Sequence, residues 1–395
     1  SRKISSRMSI QRQTDRQAMT QPPLFPPPFS LDEFRSRLAA LRAIMVARRV
    51  DLLIVDQSEH RSYFSGYSST AAMYQALLVP QNRDPIAVIR EVDAPGFYMA
   101  SRFSDSVQFA DHENPIKVLA ETIARCGFGS SRVGIERDSH FLTVNRAAEL
   151  ECLLSDAKFV DFSRVMWEMR LIKSPLEIAC LEVAAGICDR AAAAAFDAAK
   201  AGVNEREVFA AMTSEAWRCG ADNAQVAVIS SGPSTSFHSS ITGRVLEQGD
   251  IVFVEPVPHF RGYTARIMRP KTIGAPTREQ AETAEAVIRM QNDQLQAMKP
   301  GARAKDVDRI VREGILAAGL RDSYTNITGY TLGLKHPPRT SDFTRVFLHD
   351  SEWLLEENQV FHMYTSAHGL PFSETVVVTP KGGKRLTKME RKLFF

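Results

Sequence analysis

The chain has 395 residues, enough for one large domain or two ordinary ones. Hydrophobic residues make up 44% and charged residues 24%, which is ordinary globular usage and excludes a collagen-like, coiled-coil or wholly disordered protein. Apolar runs such as 251–254 are far shorter than the roughly 20 residues of a membrane span, so no membrane partner is expected.

The formal net charge of +3 is concentrated in residues 1–29, which hold five basic residues and one acidic residue. The rest of the chain is therefore close to neutral and offers no basic stripe, so nucleic acid is not an expected partner. Five cysteines without a C-x-x-C pair indicate reduced thiols and a cytoplasmic location. Residues 1–29 are rich in Ser, Gln and Arg and then in Pro, which predicts a disordered tail, with an organelle transit peptide as the alternative.

Residues 30–165 alternate helix and strand patterns, which predicts an N-terminal α/β domain. A helical apolar stripe runs over 32–49, and a short buried strand follows at 52–55. Further strands are predicted at 75–79, 86–89, 133–135 and 159–160, and further helices at 116–125 and 144–153.

A second domain, 166–395, is predicted from the strong helix start at residues 174–177. Ser174 caps this helix and Glu177 completes a capping box, and the Ala-rich run then reaches Lys200. Strands of this domain are predicted at 225–230, 250–256, 263–269, 359–365 and 372–379.

The second domain contains an internal repeat with an offset of 99 residues. Gly202 matches Gly301 and Gly220 matches Gly319. In each copy the two glycines bound a predicted helix, and the two helices have the same length. The repeat predicts a pseudo-two-fold domain with a ligand cleft between its halves, the alternative being a chance similarity of amphipathic helices.

A carboxylate ends the most apolar strand, because Glu255 lies on the same face as Ile251 and Phe253. Burying that carboxylate unpaired would cost several kcal/mol. Glu255 is therefore either half of an ion pair with Arg266 or Arg269, across a hairpin that turns at 261–262, or a catalytic carboxylate in a dry pocket. No zinc-binding, phosphate-binding or dinucleotide-binding motif is present, so no metal or cofactor is predicted.

These features together resemble the "pita-bread" superfamily of creatinase, prolidase and methionine aminopeptidase. The resemblance covers about residues 31–395 and implies an α/β (α+β) chain, with a creatinase-like N-terminal domain followed by a pseudo-two-fold pita-bread catalytic domain. The metallopeptidases of that superfamily hold their metal ions with two aspartates, one histidine and two glutamates. At those places this sequence has Glu255, Arg266, Tyr330, Tyr364 and Ser373, so the resemblance implies the metal-free branch.

Within that branch the chain is most similar to ectoine hydrolases, through the stretches 90–96, 133–139 and 172–177. It departs from them at 255–258 and 337–342, which border the implied pocket. The resemblance implies hydrolysis of a C–N bond in a small cationic or zwitterionic cyclic amidine, with Glu255 as nucleophile or base and His238 as proton shuttle. The substrate-binding residues that it implies are Tyr263, Arg269, Tyr330, His362, Tyr364, Glu374 and Tyr74.

Three other functions remain open at this point: a creatinase-type amidinohydrolase, a catalytically silent binding protein and an Xaa-Pro peptidase. Taken singly, the candidate His and Tyr side chains are also compatible with core or surface packing. The resemblance further implies a homodimer in which the loop 64–74 of one subunit reaches the partner's site.

Overall fold

The computed structural model describes residues 29–68, 72–224, 227–233, 235 and 241–395. The predicted tail, except Phe29, and His238 lie outside these residues. The chain divides into two units, with the division after Met166. None of the described helices is long and apolar enough to cross a membrane.

The N-terminal unit is a mixed sheet with helices, in the strand order β4-β3-β2-β1-β5-β6. Its helices α2, α3 and α6 and its strand β4 were not predicted, whereas the other elements lie within two residues of their predicted bounds. The elements are α1 (Leu31–Ala47), β1 (Leu52–Val55), α2 (Ser58–Ser65), β2 (Ala76–Pro80), β3 (Ile86–Arg90), α3 (Ala94–Ala100), β4 (Ser106–Phe109), α4 (Pro115–Arg125), β5 (Arg132–Ile135), α5 (Val144–Leu153), β6 (Lys158–Asp161) and α6 (Val165–Met169), which ends past the division.

Strand β1 lies in the middle of this sheet and is buried along its whole length. It runs parallel to β5, with Leu52 opposite Val133. Because parallel strands end at the same edge of a sheet, the residues that follow them, Asp56 and Glu136, are brought into one buried polar cluster.

The second unit contains two helix pairs and two larger sheets, in the orders β11-β8-β7 and β13-β12-β14-β15-β16. Its first helix begins at the predicted capping box on Ser174. The elements are α7 (Pro175–Ala198), α8 (Glu205–Arg218), β7 (Ala227–Gly232), β8 (Ile251–Pro256), β9 (His259–Phe260), β10 (Tyr263–Thr264), β11 (Arg269–Thr272), α9 (Arg278–Ala297), α10 (Ala304–Ala317), β12 (Gly329–Thr331), β13 (Asp342–Phe347), β14 (Val360–Ala367), β15 (Leu370–Thr379) and β16 (Gly382–Arg385).

The internal repeat is present in the backbone geometry. Gly202 and Gly301 both have φ of 85°, a value that favours glycine. The N–H of Gly202 donates to the carbonyl of Leu246 and that of Gly301 to the carbonyl of Leu355, both at 2.8 Å. Helices α7 and α8 therefore correspond to α9 and α10, as the pseudo-two-fold prediction requires.

The predicted strand 263–269 is interrupted. The hairpin does turn at Arg261 and Gly262, whose φ values are 55° and 78°, but β10 stops at Thr264 and β11 starts only at Arg269. Between them the N–H of Arg266 donates to the hydroxyl of Thr375 at 2.8 Å, so a side chain from β15 replaces the expected ladder partner.

Candidate active site

Three side chains from three parts of the second unit form the centre of the candidate site. Glu255 ends β8 and is 3% exposed, and Arg266 lies in the interruption after β10 and is 8% exposed. The Nη1 of Arg266 lies 3.2 Å from Glu255 Oε1 and also contacts the hydroxyl of Tyr330, while its Nη2 donates to the carbonyl of Thr340 at 2.6 Å. Of the two partners that the sequence allows for Glu255, the structure selects Arg266.

An aromatic cluster adjoins this centre. Tyr330 on β12 is paired in register with His362 on β14, and their ring centroids are 5.1 Å apart. His362 and Tyr364 share a face of β14, and their rings stack at 5.3 Å. His362 Nε2 lies 2.7 Å from the hydroxyl of Ser373 and 4.0 Å from Glu255 Oε1. The predicted residues Glu255, Tyr330, His362 and Tyr364 are thus brought together.

Burial determines the protonation states in this cluster. It lowers the pKa of His362 well below its ordinary value, and the nearby charges of Arg266 and Lys335 lower it further, so the imidazole is neutral at pH 7. Burial likewise raises the pKa of Tyr330, and raises that of Tyr364 to about 12. Both phenols therefore remain protonated and can donate hydrogen bonds.

A second positive charge lies beside Arg266, and the sequence analysis did not identify it. Lys335 is 2% exposed, and its Nζ donates to the same carbonyl of Thr340 that Arg266 uses. Burial, followed by the charges of Lys335, His336 and Arg266, lowers the pKa of His259 to about 2. The available sequence signal was the Lys335-His336 pair directly after the turn at 329–333.

Other predicted substrate-binding residues have partners elsewhere in their own units. Arg269 and Glu374 are fully buried and form an ion pair with each other at 2.7 Å, and the Tyr263 hydroxyl donates to Glu177 Oε1 at 2.8 Å. Tyr74 is buried in the N-terminal unit. These intramolecular partners are a structural alternative to the roles that the sequence predicts for Tyr263, Arg269 and Glu374.

The residues at the family's metal positions do not fit a metal ion. Only Glu255 among them is a carboxylate, and the guanidinium of Arg266 lies directly on it, where a divalent cation would be repelled. Within the described ranges there is no group of three or more His, Cys, Asp and Glu side chains that could hold a metal ion.

Comparison with known proteins agrees with this architecture. The creatinase/prolidase N-terminal domain matches residues 37–172, and metallopeptidase family M24 matches residues 179–380, just over half of the chain. The Xaa-Pro dipeptidase of Pyrococcus furiosus is 28% identical over 365 residues, which cover 91% of this chain and 99% of that protein. The solved structure of the prolidase from Pyrococcus furiosus is 25% identical, with a TM-score of 0.76 over 89% of this chain and all of that one.

The ectoine hydrolase of Halomonas elongata also matches, at 24% identity over 93% of this chain and 98% of that protein. The Xaa-Pro dipeptidase is more similar, and the solved structures of the same fold include further prolidases and an Xaa-Pro dipeptidase. The predicted hydrolysis of a small cationic or zwitterionic cyclic amidine is therefore wrong, and the peptidase alternative agrees better with these relatives.

Both domains match in the expected order, a dipeptidase relative matches over almost its full length, and the fold is that of a solved prolidase structure. This chain belongs to metallopeptidase family M24, with a creatinase/prolidase-type N-terminal domain, although its own residues at the metal positions form an arginine-centred cluster.

Proposed function

We propose that this chain hydrolyses the C–N bond of a small amide of the Xaa-Pro type without a metal ion. The observation that carries the proposal is the position of the Arg266 guanidinium, between the carboxylate of Glu255 and the phenol of Tyr330. The names of the dipeptidase relatives support the substrate class. The carboxylate of Glu255 and the hydrogen-bond donors of Arg266 and Tyr330 support amide hydrolysis as the reaction type.

Hydrolysis of an amide requires a base for the water and donors for the oxygen that becomes negative. In the proposed mechanism Glu255 takes a proton from water while the water oxygen bonds to the carbonyl carbon. Arg266 and the protonated Tyr330 donate to the resulting oxyanion. When the C–N bond breaks, the proton held by Glu255 passes to the leaving nitrogen, so the carboxylate is regenerated and atoms balance.

A substrate panel tests this proposal. The purified protein is incubated with Xaa-Pro dipeptides, with matched dipeptides that lack proline, and with creatine, and free amino acids or urea are measured by mass spectrometry. Release of proline supports the proposal, and release of urea would instead identify an amidinohydrolase. A folded protein that turns over none of these compounds would contradict it and leave the silent binding protein as the better explanation.

The proposed absence of a metal ion from the reaction can be tested separately from the substrate. Because Arg266 and Tyr330 occupy positions where the family's metal ligands stand, the purified protein should contain less than about 0.1 equivalent of zinc, manganese or cobalt, and its activity should survive EDTA. Elemental analysis and turnover before and after chelation check this. Two bound metal equivalents with activity lost in EDTA would overturn it.

Removal of one oxyanion donor should slow the reaction. Tyr330→Phe keeps the ring against His362 and Tyr364 but removes the hydroxyl next to Arg266. We expect turnover to fall about 10²-fold with little change in KM, because the hydroxyl would act mainly on the developing oxyanion. Tyr98→Phe, which removes a partly buried hydroxyl in the N-terminal unit, is the matched control. An equal loss in both variants would assign Tyr330 a structural role only.

A further inference from the structure

We propose that Ser373 is a positioning residue that fixes the ring of His362 in one neutral tautomer, with the proton on Nδ1 and none on Nε2. The assignment stands on the hydrogen bonds of these two side chains. Its consequence for catalysis rests on the proposed function, because it concerns Glu255 as the base that takes a proton from water.

Ser373 is held on β15 by its backbone and by its hydroxyl. The residue is fully buried, its N–H donates to the carbonyl of Met268 at 3.2 Å, and its own carbonyl accepts from Arg269 Nη1 at 2.8 Å. Its Oγ accepts from the backbone N–H of Met268 at 2.6 Å. One side of Oγ is therefore occupied by a donor, and the hydroxyl hydrogen is left for the other neighbour, His362 Nε2, at 2.7 Å.

The ring of His362 has two possible arrangements against this hydroxyl. The residue is fully buried and neutral, so one ring nitrogen carries a hydrogen and the other carries a lone pair. Either Nε2–H donates to Ser373, or the hydroxyl of Ser373 donates to an unprotonated Nε2. The short contact between Nε2 and Oγ fits both arrangements.

The unmade hydrogen bonds decide between the two arrangements. Nδ1 of His362 is buried and has no hydrogen-bond partner among the described residues. If Nε2–H donated to Ser373, the serine hydrogen would have no acceptor there and Nδ1 would have no donor. If Ser373 donates to Nε2, only Nδ1–H is left unpaired. Because each buried polar group without a partner costs free energy, the second arrangement is the more stable.

This tautomer determines what Glu255 faces. Oε1 of Glu255 lies 4.0 Å from Nε2 of His362, and an unprotonated Nε2 cannot donate to it. That oxygen is then available to Arg266 and to the proton of the attacking water. The hydrogen on Nδ1 meets no acceptor within the described part of the chain, so its acceptor is water or an atom of a ligand.

The test is nuclear magnetic resonance of the ligand-free protein. The nine histidines are labelled with 15N in their rings, and 1H–15N correlation spectra at pH 7.5 separate protonated from unprotonated ring nitrogens. The signals of His362 are those lost in His362→Gln. We expect Nδ1 to be protonated and Nε2 unprotonated. Ser373→Ala should move the proton to Nε2, where Glu255 becomes its acceptor. Ser366→Ala, half-buried on β14, is the matched control and should change neither signal.

The spectra decide the structural assignment without any substrate. A proton on Nε2 in the wild type, or equal shares of the two forms, would overturn the tautomer. An unchanged proton on Nδ1 in folded Ser373→Ala would show that Ser373 does not fix it. If Ser373→Ala does not fold, Ser373→Cys replaces it, because a thiol has nearly the same shape and is a much weaker donor.

Turnover tests the consequence for catalysis. We expect kcat for an Xaa-Pro dipeptide to fall at least about tenfold in Ser373→Ala, with KM changed less than about twofold, because the wrong tautomer affects the chemical step. A moved proton with unchanged kcat would overturn this consequence. A wild-type protein that has the expected tautomer but cleaves no Xaa-Pro dipeptide would contradict the proposed function and support the role of Ser373.

Discussion

Glu255→Gln is expected to lower turnover by at least about 10³-fold in a protein that remains folded, which corresponds to roughly 4 kcal/mol of lost transition-state stabilisation. Glutamine has the shape of glutamate and still offers an oxygen to Arg266, but it cannot accept the proton of the attacking water. KM should change much less than kcat, because the loss falls on the chemical step.

The substitution also leaves the buried guanidinium of Arg266 without its counter-charge, which can cost a few kcal/mol of stability. Turnover is therefore expressed per folded molecule, from circular dichroism and a thermal melt of each sample. Glu207→Gln, an exposed position on α8, is the matched control and should behave like the wild type. Turnover of the Glu255→Gln variant within tenfold of wild type would mean that Glu255 serves only the ion pair.

Asp56→Asn is expected to stabilise the N-terminal unit at alkaline pH by up to about 4 kcal/mol. Burial and then the charge of Glu136 raise the pKa of Asp56 from 3.8 to about 7, although Ser139, Tyr74 and Arg61 act in the opposite direction. Because the pKa of Asp56 is raised in the folded state, its contribution to stability is complete below pH 3.8. That contribution is lost as the pH rises through about 7.

Denaturant unfolding of wild type and Asp56→Asn at several pH values checks this expectation. The two proteins should have similar free energies of unfolding near pH 4, and the variant should be the more stable by pH 8. Asp84→Asn, which changes an exposed carboxylate in the loop between β2 and β3, is the control. Parallel pH profiles for wild type and Asp56→Asn would show that Asp56 is not the group responsible.

The local features of this fold, such as helix caps and turns, could be predicted from the sequence. The capping box at Ser174 and the hairpin turn at 261–262 depend on residues only a few positions apart, and both are present. The partner of Glu255 could not be decided in this way, because the interruption of the strand at Arg266 involves a hydrogen bond to Thr375, more than 100 residues later.

The positive charge that Lys335 brings to the site was also not predicted from the sequence. Lys335 and His259 are far apart along the chain and carry no motif, and only the fold brings them to Arg266. The aromatic residues were identified because Gly329-Tyr330 and His362 correspond to family positions, not because any pattern shows that their rings would meet.

The contact between Arg266 and Glu255 restricts how this lineage could change. Arg266→Asp alone would place two carboxylates side by side, with Tyr330 and Tyr364 still occupying the places of a histidine and a glutamate, and no single substitution supplies enough oxygen and nitrogen ligands for a metal ion. Loss of Arg266 alone would therefore leave the buried carboxylate of Glu255 without its counter-charge. Substitutions of the residues around the arginine are thus expected to be tolerated better than substitution of the arginine itself.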